Sequence, residues 1–500
     1  MNNALATLYR HAPVAIQNAM VSVYGYRLHK TRYGGCWQET LDQLEQSQWF
    51  SAEQLEELQI ARLRCLLRHA HNAVPYYRRA FEQAGIRPEH IRSLEDLRRV
   101  PILSKPQMRD HAQDLLAAGT APRHLITEHT SGTTGTALTL YNSHTVCQRV
   151  WAFVERFRRW AGIATGQKRA SFGVRMVAPF EQTRPPFWRY NATERQLLFS
   201  IYHLSPANFS AYNAALRRFD PVWIDAYPSA AYALARFVLD GRHETARPKA
   251  VLTTAETLLT HQREAIQQAF GCPVYDWYGS SEYVVLACEC PEGRMHINPE
   301  FGIAEILRAD NTPAAPGEPG RIVVTGFVNT VQPLIRYEIG DIGVLLKETV
   351  CNCGRAFPAL AELTGRVEDV VVTPDGRVIA RFDPVFKDTP NIQEAQIVQQ
   401  TEQDLKVKVV RAAGYSPSDT RALLRNMKER CGAQMRIKVE FVDRIARTRA
   451  GKFRAVVSRM PSPGRLRVEP QEPMIKTSTQ AGARNGGPQR PTAPHSDTRA

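Results

Sequence analysis

From Glu39 to about Leu116, apolar residues recur at three- and four-residue steps: Leu55, Leu58, Ile60, Leu63, Leu66 and Leu67 form the series, with arginines between them. That spacing puts them on one face of helices packed against a core, a stripe with no chemistry of its own. Pro75-Tyr76-Tyr77 interrupts the pattern and Pro101-Ile102-Leu103 ends it. From about Glu128 to Gly365, short β-rich runs alternate with helical ones. The strand Ala250 to Thr254 followed by the helix His261 to Phe270 is an example, and the alternation predicts an α/β architecture of mixed sheets. Gly302 to Leu307 and Gly320 to Gly326 flank the turn residues Asn311-Thr312-Pro313 and Pro316-Gly317-Glu318-Pro319. They predict a hairpin at the edge of a small β-barrel or distorted sheet.

After Gly365 the texture changes. Val370 to Thr373, the turn Pro374-Asp375-Gly376 and Arg377 to Ala380 read as a tight hairpin. A strand near Leu405 to Val410, a helix near Ser416 to Cys431 and a strand Ile437 to Phe441 follow. This is a compact α+β module of about ninety residues. From about Pro461 to Ala500 the chain is rich in Pro, Gly, Ser, Thr, Gln and Arg, and too poor in large apolar residues to offset the entropy of ordering. The expected division is a helical part of a large domain over 1–120, the core of that domain over 121–365, a small C-terminal domain over 366–460 and a disordered tail over 461–500.

Five hundred residues, 43% of them apolar, exceed what one core usually serves. No run approaches the ~20 apolar residues of a membrane span, and Met1 to Met20 lacks the order of a signal peptide, so a cytoplasmic protein is expected. Nine unevenly spaced cysteines agree with a reducing compartment. The net charge of +15 suits a nucleic acid, an anionic membrane surface or an anionic small substrate. Zinc-finger spacing, RNP-like aromatics and a compact Lys/Arg block are all missing from the sequence, which disfavours nucleic acid. Arginines such as Arg62, Arg64, Arg68, Arg78 and Arg79 are expected on solvated helix faces.

The densest chemistry lies in Thr130-Ser131-Gly132-Thr133-Thr134-Gly135-Thr136, where two glycines let the backbone approach an anion and five hydroxyls can donate to it. It precedes Ala137 to Tyr141, which alternates as a strand does. Without the lysine of a Walker loop, P-loop chemistry is disfavoured. Downstream come Tyr278-Gly279-Ser280-Ser281-Glu282, whose acid suits Mg²⁺ and whose aromatic suits a base. Arg336-Tyr337-Glu338-Ile339-Gly340-Asp341 then places a carboxylate past a glycine turn, where ribose hydroxyls could donate to it. Gly365-Arg366-Val367-Glu368-Asp369 lies at the domain boundary, and Arg447-Thr448-Arg449-Ala450-Gly451-Lys452-Phe453-Arg454 sets a lysine on a basic loop. Singly, each has an ordinary reading as a turn or solvated loop.

In this order and spacing the clusters resemble the adenylate-forming superfamily of acyl- and aryl-CoA ligases. The finer likeness is to its phenylacetate-CoA ligase and CapK-like branch. It rests on Leu66-Leu67-Arg68-His69-Ala70 through Val74-Pro75-Tyr76-Tyr77-Arg78, on Ser93-Leu94-Glu95-Asp96-Leu97, on Pro101-Ile102-Leu103-Ser104-Lys105 and on Cys351-Asn352-Cys353-Gly354-Arg355. The resemblance covers about residues 50 to 460. It implies a large AMP-binding domain of mixed sheets and helices, a small mobile α+β domain, and two steps at their interface. A carboxylate attacks the α-phosphorus of Mg·ATP to give an acyl-adenylate and pyrophosphate. A thiol, generally that of coenzyme A, then displaces AMP.

By the same resemblance Thr130 to Thr136, with Thr133 among the catalytic residues, grip the β- and γ-phosphates. Tyr278 lies against adenine in a segment with Gly279, Ser280 and Ser281, and Glu282 binds Mg²⁺. Asp341 holds the ribose with Arg366 nearby, Glu368 is the hinge, and Lys452 bridges the substrate carboxylate and the α-phosphate. The acid pocket is expected near Tyr227-Pro228-Ser229 and Ala255-Glu256. Two departures stand out: Thr136 runs into Ala137-Leu138-Thr139 where the family usually continues with Pro, and Ile339 replaces the commoner Thr.

The resemblance leaves the acid open among aromatic, acyl and amino acids, and two other readings stay open: an enzyme of polysaccharide or cell-surface biosynthesis with a non-CoA acceptor, and a nucleotide-binding protein without turnover. A basic surface binder is a third. Cys290, His296, Cys351 and Cys353, with Cys288 in reserve, offer soft ligands for a structural zinc, against the alternative that they are buried small hydrophobes.

Overall fold

The computed structural model describes residues 3–121, 125–129, 138–173, 175, 177–179, 181–347, 350–366, 371–374, 378–379, 382–386, 389, 391–447 and 453–460. Its main element is a twelve-stranded mixed sheet. Gly302–Leu307, Pro319–Gly326, Tyr337–Leu345, Ala359–Arg366, Met295–Ile297, Leu286–Glu289 and Val274–Gly279 follow one another antiparallel. Ala250–Thr254, Trp223–Ala226, Arg169–Gly173 and Gln196–Ser200 continue in parallel, and Trp188–Asn191 closes the far edge antiparallel. The parallel half needs crossovers, supplied by helices Pro228–Asp240 and Thr260–Phe270. Covered on both faces, its strands lose the alternation of a half-exposed strand: Ala250, Val251, Leu252 and Thr253 are all buried.

The predicted hairpin forms in register from Gly302 opposite Gly326 to Leu307 opposite Arg321. It edges the large sheet and not a small barrel, because Tyr337–Leu345 pairs with its second strand and carries the sheet onward.

The helical stripe becomes Trp37–Ser47, Ala52–Ala73 and Pro75–Gln83. Ser51 and Gln54 form a capping box at the start of the second helix. Pro75 opens the third helix at a position where a missing N–H costs nothing, so the proline starts an element as well as interrupting one. Leu63, Leu66, Leu67, Tyr77 and Phe81 join a core with Val284, Ile335 and Tyr337 of the large sheet's surroundings. Arg64, Arg68, Arg78 and Arg79 are exposed as expected; Arg62 is not, and donates to the Glu300 carbonyl instead. The long helix Val14–Tyr33 gave no periodic signal.

Toward the C-terminus, Val371–Val372 pairs with Val378–Ile379, as the sequence predicts. Arg436–Phe441, Asp404–Arg411, Ile392–Gln399 and Val456–Ser458 form a four-stranded sheet in that order, backed by helix Pro417–Cys431. Val371, Ile397, Leu405, Val407, Leu423, Met427 and Val456 make a hydrophobic core of its own. No helix among the described residues is long and apolar enough to cross a membrane. The expected tail, 461–500, lies outside the described residues.

Candidate functional site

Two of the motifs meet where the strand Val274–Gly279 ends beside Tyr337–Leu345. Tyr278 Oη donates to Asp341 Oδ2 at 2.6 Å. Tyr337 Oη donates to Glu282 Oε1 at 3.2 Å, and both carboxylates are buried. Ser280 Oγ, in the turn between Tyr278 and Glu282, is buried without a hydrogen-bond partner among the described residues. A buried donor left open in this way is costly unless a ligand completes it. Arg366 pairs through its backbone opposite Asp341 in the adjoining strand. Its side chain, the expected hinge Glu368, Lys452 and the whole segment Thr130 to Thr136, Thr133 included, lie outside the described residues.

The flanks of that segment are in place. Ile126–His129 and Thr139–Asn142 form an antiparallel pair, with His129 opposite Thr139 at the mouth of the loop. Asn329 Nδ2 donates to the Tyr141 carbonyl at 2.9 Å, and Tyr141 N donates to Gln332 Oε1 at 3.1 Å. Glu128 accepts from Asn142 and faces Tyr283, the neighbour of Glu282; burial first, and then this carboxylate, pushes the Tyr283 phenol above its ordinary range. The loop's two ends are thus anchored beside the Glu282 turn.

Branch motifs that carry no chemistry hold this region together. Arg336, at φ +47°, accepts Leu103 N at its carbonyl and sends its guanidinium to Glu305, at 2.9 Å to each oxygen, and to the carbonyls of Arg98 and Val100. Such a bidentate, buried arrangement fixes two segments in one geometry. Tyr77 Oη accepts from Ile335 N at 2.8 Å. Gly340, at φ +81°, leaves room for Lys105: a Cβ there would stand 2.8 Å from the lysine Nζ. The Pro101 to Lys105 motif therefore braces the strand that presents Asp341.

Glu256, expected near the acid pocket, has a partner that no local pattern in the chain records. Its carboxylate accepts from Ser229 N at 3.0 Å, at the start of helix Pro228–Asp240, and from Phe453 N at 2.6 Å. Phe453 directly follows Lys452, so the lysine loop is tied to the large sheet here. Burial raises the Glu256 carboxyl above its ordinary value, against the pull of both backbone donors. Ala255, at φ +71°, and Tyr283, at φ +54°, adopt the left-handed region beside Glu256 and Glu282. Backbone strain of this kind persists where surrounding structure over-determines it, commonly at functional sites. A cavity of about 580 Å³ lined by Cys36, Arg62, His69 and Arg149 lies apart, without Tyr278, Glu282 or Asp341 in its walls.

Behind the site, Asp276 accepts from Thr253 Oγ1 at 2.7 Å, while its N–H donates to Glu289, which Arg263 pairs. Burial pushes the Asp276 carboxyl up to about 7, and Glu289 pushes the same way. Because the folded value lies above the ordinary 3.8, the folded state holds the proton more tightly. Its contribution to stability is complete below about pH 4 and is lost as pH rises through about 7. Asp276→Asn, which keeps the acceptor for Thr253, should therefore gain thermal stability over the parent progressively from pH 5 to pH 8. Melting curves at the two pH values check this.

Cys290, His296, Cys351 and Cys353 bring their ligand atoms within 4.8 Å of one another. Cys290 Sγ is 3.8 Å from Cys351 Sγ, and Cys353 Sγ is 3.4 Å from His296 Nε2. His296 Nδ1 donates to the Phe357 carbonyl at 3.0 Å, which leaves Nε2 as the lone-pair face. Cys288, the reserve ligand, stands apart: it is buried and accepts from Asn298 Nδ2.

Residues 371–459 match the family model of the CapK C-terminal domain. The chain is 28% identical to Protein CapK of Staphylococcus aureus, over 90% of its own length and 98% of that protein's. It is also 28% identical to the phenylacetate-coenzyme A ligase of Thermus thermophilus, over 64% of its own length and 72% of the relative's. In fold it is similar to 2-hydroxyisobutyryl-CoA ligase solved in its postadenylation state with R3-HIB-AMP, with a TM-score of 0.66 over 83% of this chain and 91% of that one, at 20% identity. Strand order, converging motifs and these likenesses agree: the chain shares the fold of a CoA ligase and is similar in sequence to Protein CapK and to phenylacetate-coenzyme A ligases.

Proposed function

We propose that this protein is an adenylate-forming ligase that activates a carboxylic acid with ATP and passes the acyl group to the thiol of coenzyme A. The observation that carries the reading is the Tyr278–Asp341 hydrogen bond, 2.6 Å long, beside the Tyr337–Glu282 contact. It joins two motifs more than sixty residues apart into one pair of buried carboxylates with aromatic and hydroxyl neighbours. A nucleotide asks for that set: a flat apolar surface for the base, an acceptor for ribose hydroxyls, and hard oxygen for a divalent cation.

In this reading Tyr278 offers its ring to adenine, with Gly279 and Ser281 at the turn and the open Ser280 hydroxyl as a donor. Asp341 accepts from the ribose, with Arg366 close by. The Thr130 to Thr136 loop grips the β- and γ-phosphates, and Thr133 among them helps hold the leaving pyrophosphate. Glu282 holds Mg²⁺, which, when bound, offsets triphosphate charge. Lys452 meets the negative charge that builds as the carboxylate oxygen bonds to the α-phosphorus and pyrophosphate departs. The thiol then attacks the acyl carbon, its proton is lost and AMP leaves. A small domain, 366–460, turning at Glu368 on the large domain, 1–365, would let Lys452 withdraw between the steps. The acid would enter near Tyr227, Ser229 and Glu256. ATP and coenzyme A place the work in the cytoplasm.

The family resemblance leaves a second reading, in which the acyl group passes to an acceptor other than coenzyme A during cell-surface polysaccharide synthesis; the chain is similar to Protein CapK over 98% of that protein. Pyrophosphate release screened across aryl, fatty and amino acids, with and without coenzyme A, separates the two. Release that depends on one class of acid and is followed by a coenzyme A thioester fits the first reading; release without thioester fits the second. No release with any acid overturns both.

We also propose that Cys290, His296, Cys351 and Cys353 hold a structural zinc. A tetrahedron with Zn–S of about 2.3 Å and Zn–N of about 2.0 Å has edges of about 3.8 and 3.5 Å, and the sulfur–sulfur and sulfur–nitrogen separations of 3.8 and 3.4 Å are close to these. The metal would tie the 290–296 turn to the 351–353 loop. Freshly purified protein should contain about one equivalent of zinc. Cys351→Ser should lose it together with several degrees of thermal stability, while zinc below a tenth of an equivalent in the parent ends the proposal.

A further inference from the structure

Helix Val14–Tyr33 exposes several of its large apolar residues, while four of its polar ones face the protein. Asn18 Oδ1 accepts from Tyr190 N at 2.9 Å, Ser22 Oγ accepts from Ala192 N at 3.0 Å, Gln17 accepts from Arg189, and His29 pairs with Glu194 at 2.7 Å. Gly25 lies against Asn191 so closely that a Cβ would collide with its amide. All of these contacts go to the edge strand Trp188–Asn191 and the turn after it.

The opposite face is apolar and open: Ile16 is 51% exposed, Val23 58%, Tyr24 57% and Tyr26 50%. Nine large hydrophobic side chains are strongly exposed among the described residues, and these four, with Leu8 of the preceding helix, make up five of them. A concentration of that kind on one element marks a surface that something covers.

Helical geometry says what kind of surface fits. At about 100° per residue, Ile16, Val23, Arg27 and Lys30 fall within a sector of about 60°, with Tyr24 and Tyr26 about 80° to either side. Arg27 and Lys30 are exposed. Along the line, an apolar stretch of about 10 Å passes into two cations, and phenols border both. Apolar groups entering the acyl boundary to about 5–10 Å, cations at phosphate level and tyrosines at the interface are the arrangement of a helix lying in a lipid surface. Facing a second copy instead would set this cationic end against another chain that also carries +15. We propose that the exposed face of Val14–Tyr33 docks the protein on an anionic phospholipid bilayer, without spanning it.

The test uses the full chain and co-sedimentation with vesicles of phosphatidylglycerol and phosphatidylcholine, against phosphatidylcholine alone. The parent should bind the anionic vesicles and release with salt. Arg27→Glu/Lys30→Glu should lower the bound-to-free ratio by about tenfold or more, since each surface cation near an anionic leaflet is worth about a factor of five. Ile16→Ser/Val23→Ser should lose binding even at low salt. Both variants should keep the parental circular dichroism and pyrophosphate release, because none of the four residues touches the site. Failure of the parent to bind overturns the proposal. Equal binding by the Arg27/Lys30 variant overturns it too, and assigns attraction to another basic segment. A concentration-dependent dimer abolished by Ile16→Ser/Val23→Ser, without vesicle binding, overturns it in favour of a second copy.

Discussion

Lys452→Ala should lower pyrophosphate release from ATP and acid by about a thousandfold, the scale expected when a preorganised cation is removed from developing negative charge. Nucleotide affinity should stay near the parental value, because the interaction strengthens only as the carboxylate and the α-phosphate approach one another. The same variant, supplied with preformed acyl-adenylate and coenzyme A, should still make thioester, since withdrawal of the lysine precedes the thiol's entry. A variant with parental pyrophosphate release would remove the lysine from the mechanism. The contact between Phe453 N and Glu256 Oε1 supplies a companion test. Glu256→Gln keeps the acceptor but loses the charge that strengthens it, a difference of about 1.5 kcal/mol and so about tenfold in the adenylation step. Its effect should fall on adenylation and spare thioester formation. Equal loss in both half-reactions would mean that Glu256 supports the large domain generally and does not position the lysine loop.

The contrast between Lys452 and Glu256 also marks how far the sequence could be read. Lys452, outside the described residues, is a candidate only because Arg447 to Arg454 resembles the family's lysine loop as a continuous stretch of chain. Glu256 meets Phe453 across 197 positions, and no periodicity records such a contact. Local patterns carried the strand Ala250–Thr254, the helix that follows it, the hairpin of Gly302–Leu307 with Pro319–Gly326, and the helix Pro417–Cys431 with its Ser416–Asp419 capping box. These are set by alternation, caps and turns within a dozen residues. The sheet that gathers the strands was not legible as a twelve-stranded whole, because strand order depends on crossovers and long-range pairing. The hairpin could thus be foreseen while its neighbour Tyr337–Leu345 could not. Val14–Tyr33 escaped notice for the opposite reason: apolar and polar residues are mixed around its circumference, with Arg27 and Lys30 on the exposed side, so no apolar stripe stands out.

Glu282→Gln should lower pyrophosphate release by about a hundredfold and raise the Mg²⁺ concentration needed for half-maximal rate. The side chain sits in a favourable place for this comparison. It is buried, its Oε1 accepts from Tyr337 Oη at 3.2 Å, and the amide oxygen of glutamine can still accept that bond. The substitution therefore removes charge while sparing shape. Tyr337→Phe deletes the donor alone, so the carboxylate keeps its charge and loses orientation; about tenfold is expected there, without the shift in Mg²⁺ requirement. If Glu282→Gln and Tyr337→Phe proved equal in rate and in Mg²⁺ dependence, Glu282 would act as a hydrogen-bonded brace for the strand end and not as a seat for the cation. Asp341→Asn separates the two carboxylates further. Its Oδ2 accepts from Tyr278 Oη, so its loss should raise the ATP concentration for half-maximal rate and leave the Mg²⁺ dependence alone. Distinct effects from two buried acids, one in the turn after Val274–Gly279 and one on Tyr337–Leu345, are what one nucleotide, gripped at its sugar by one and at its phosphates by the other, requires.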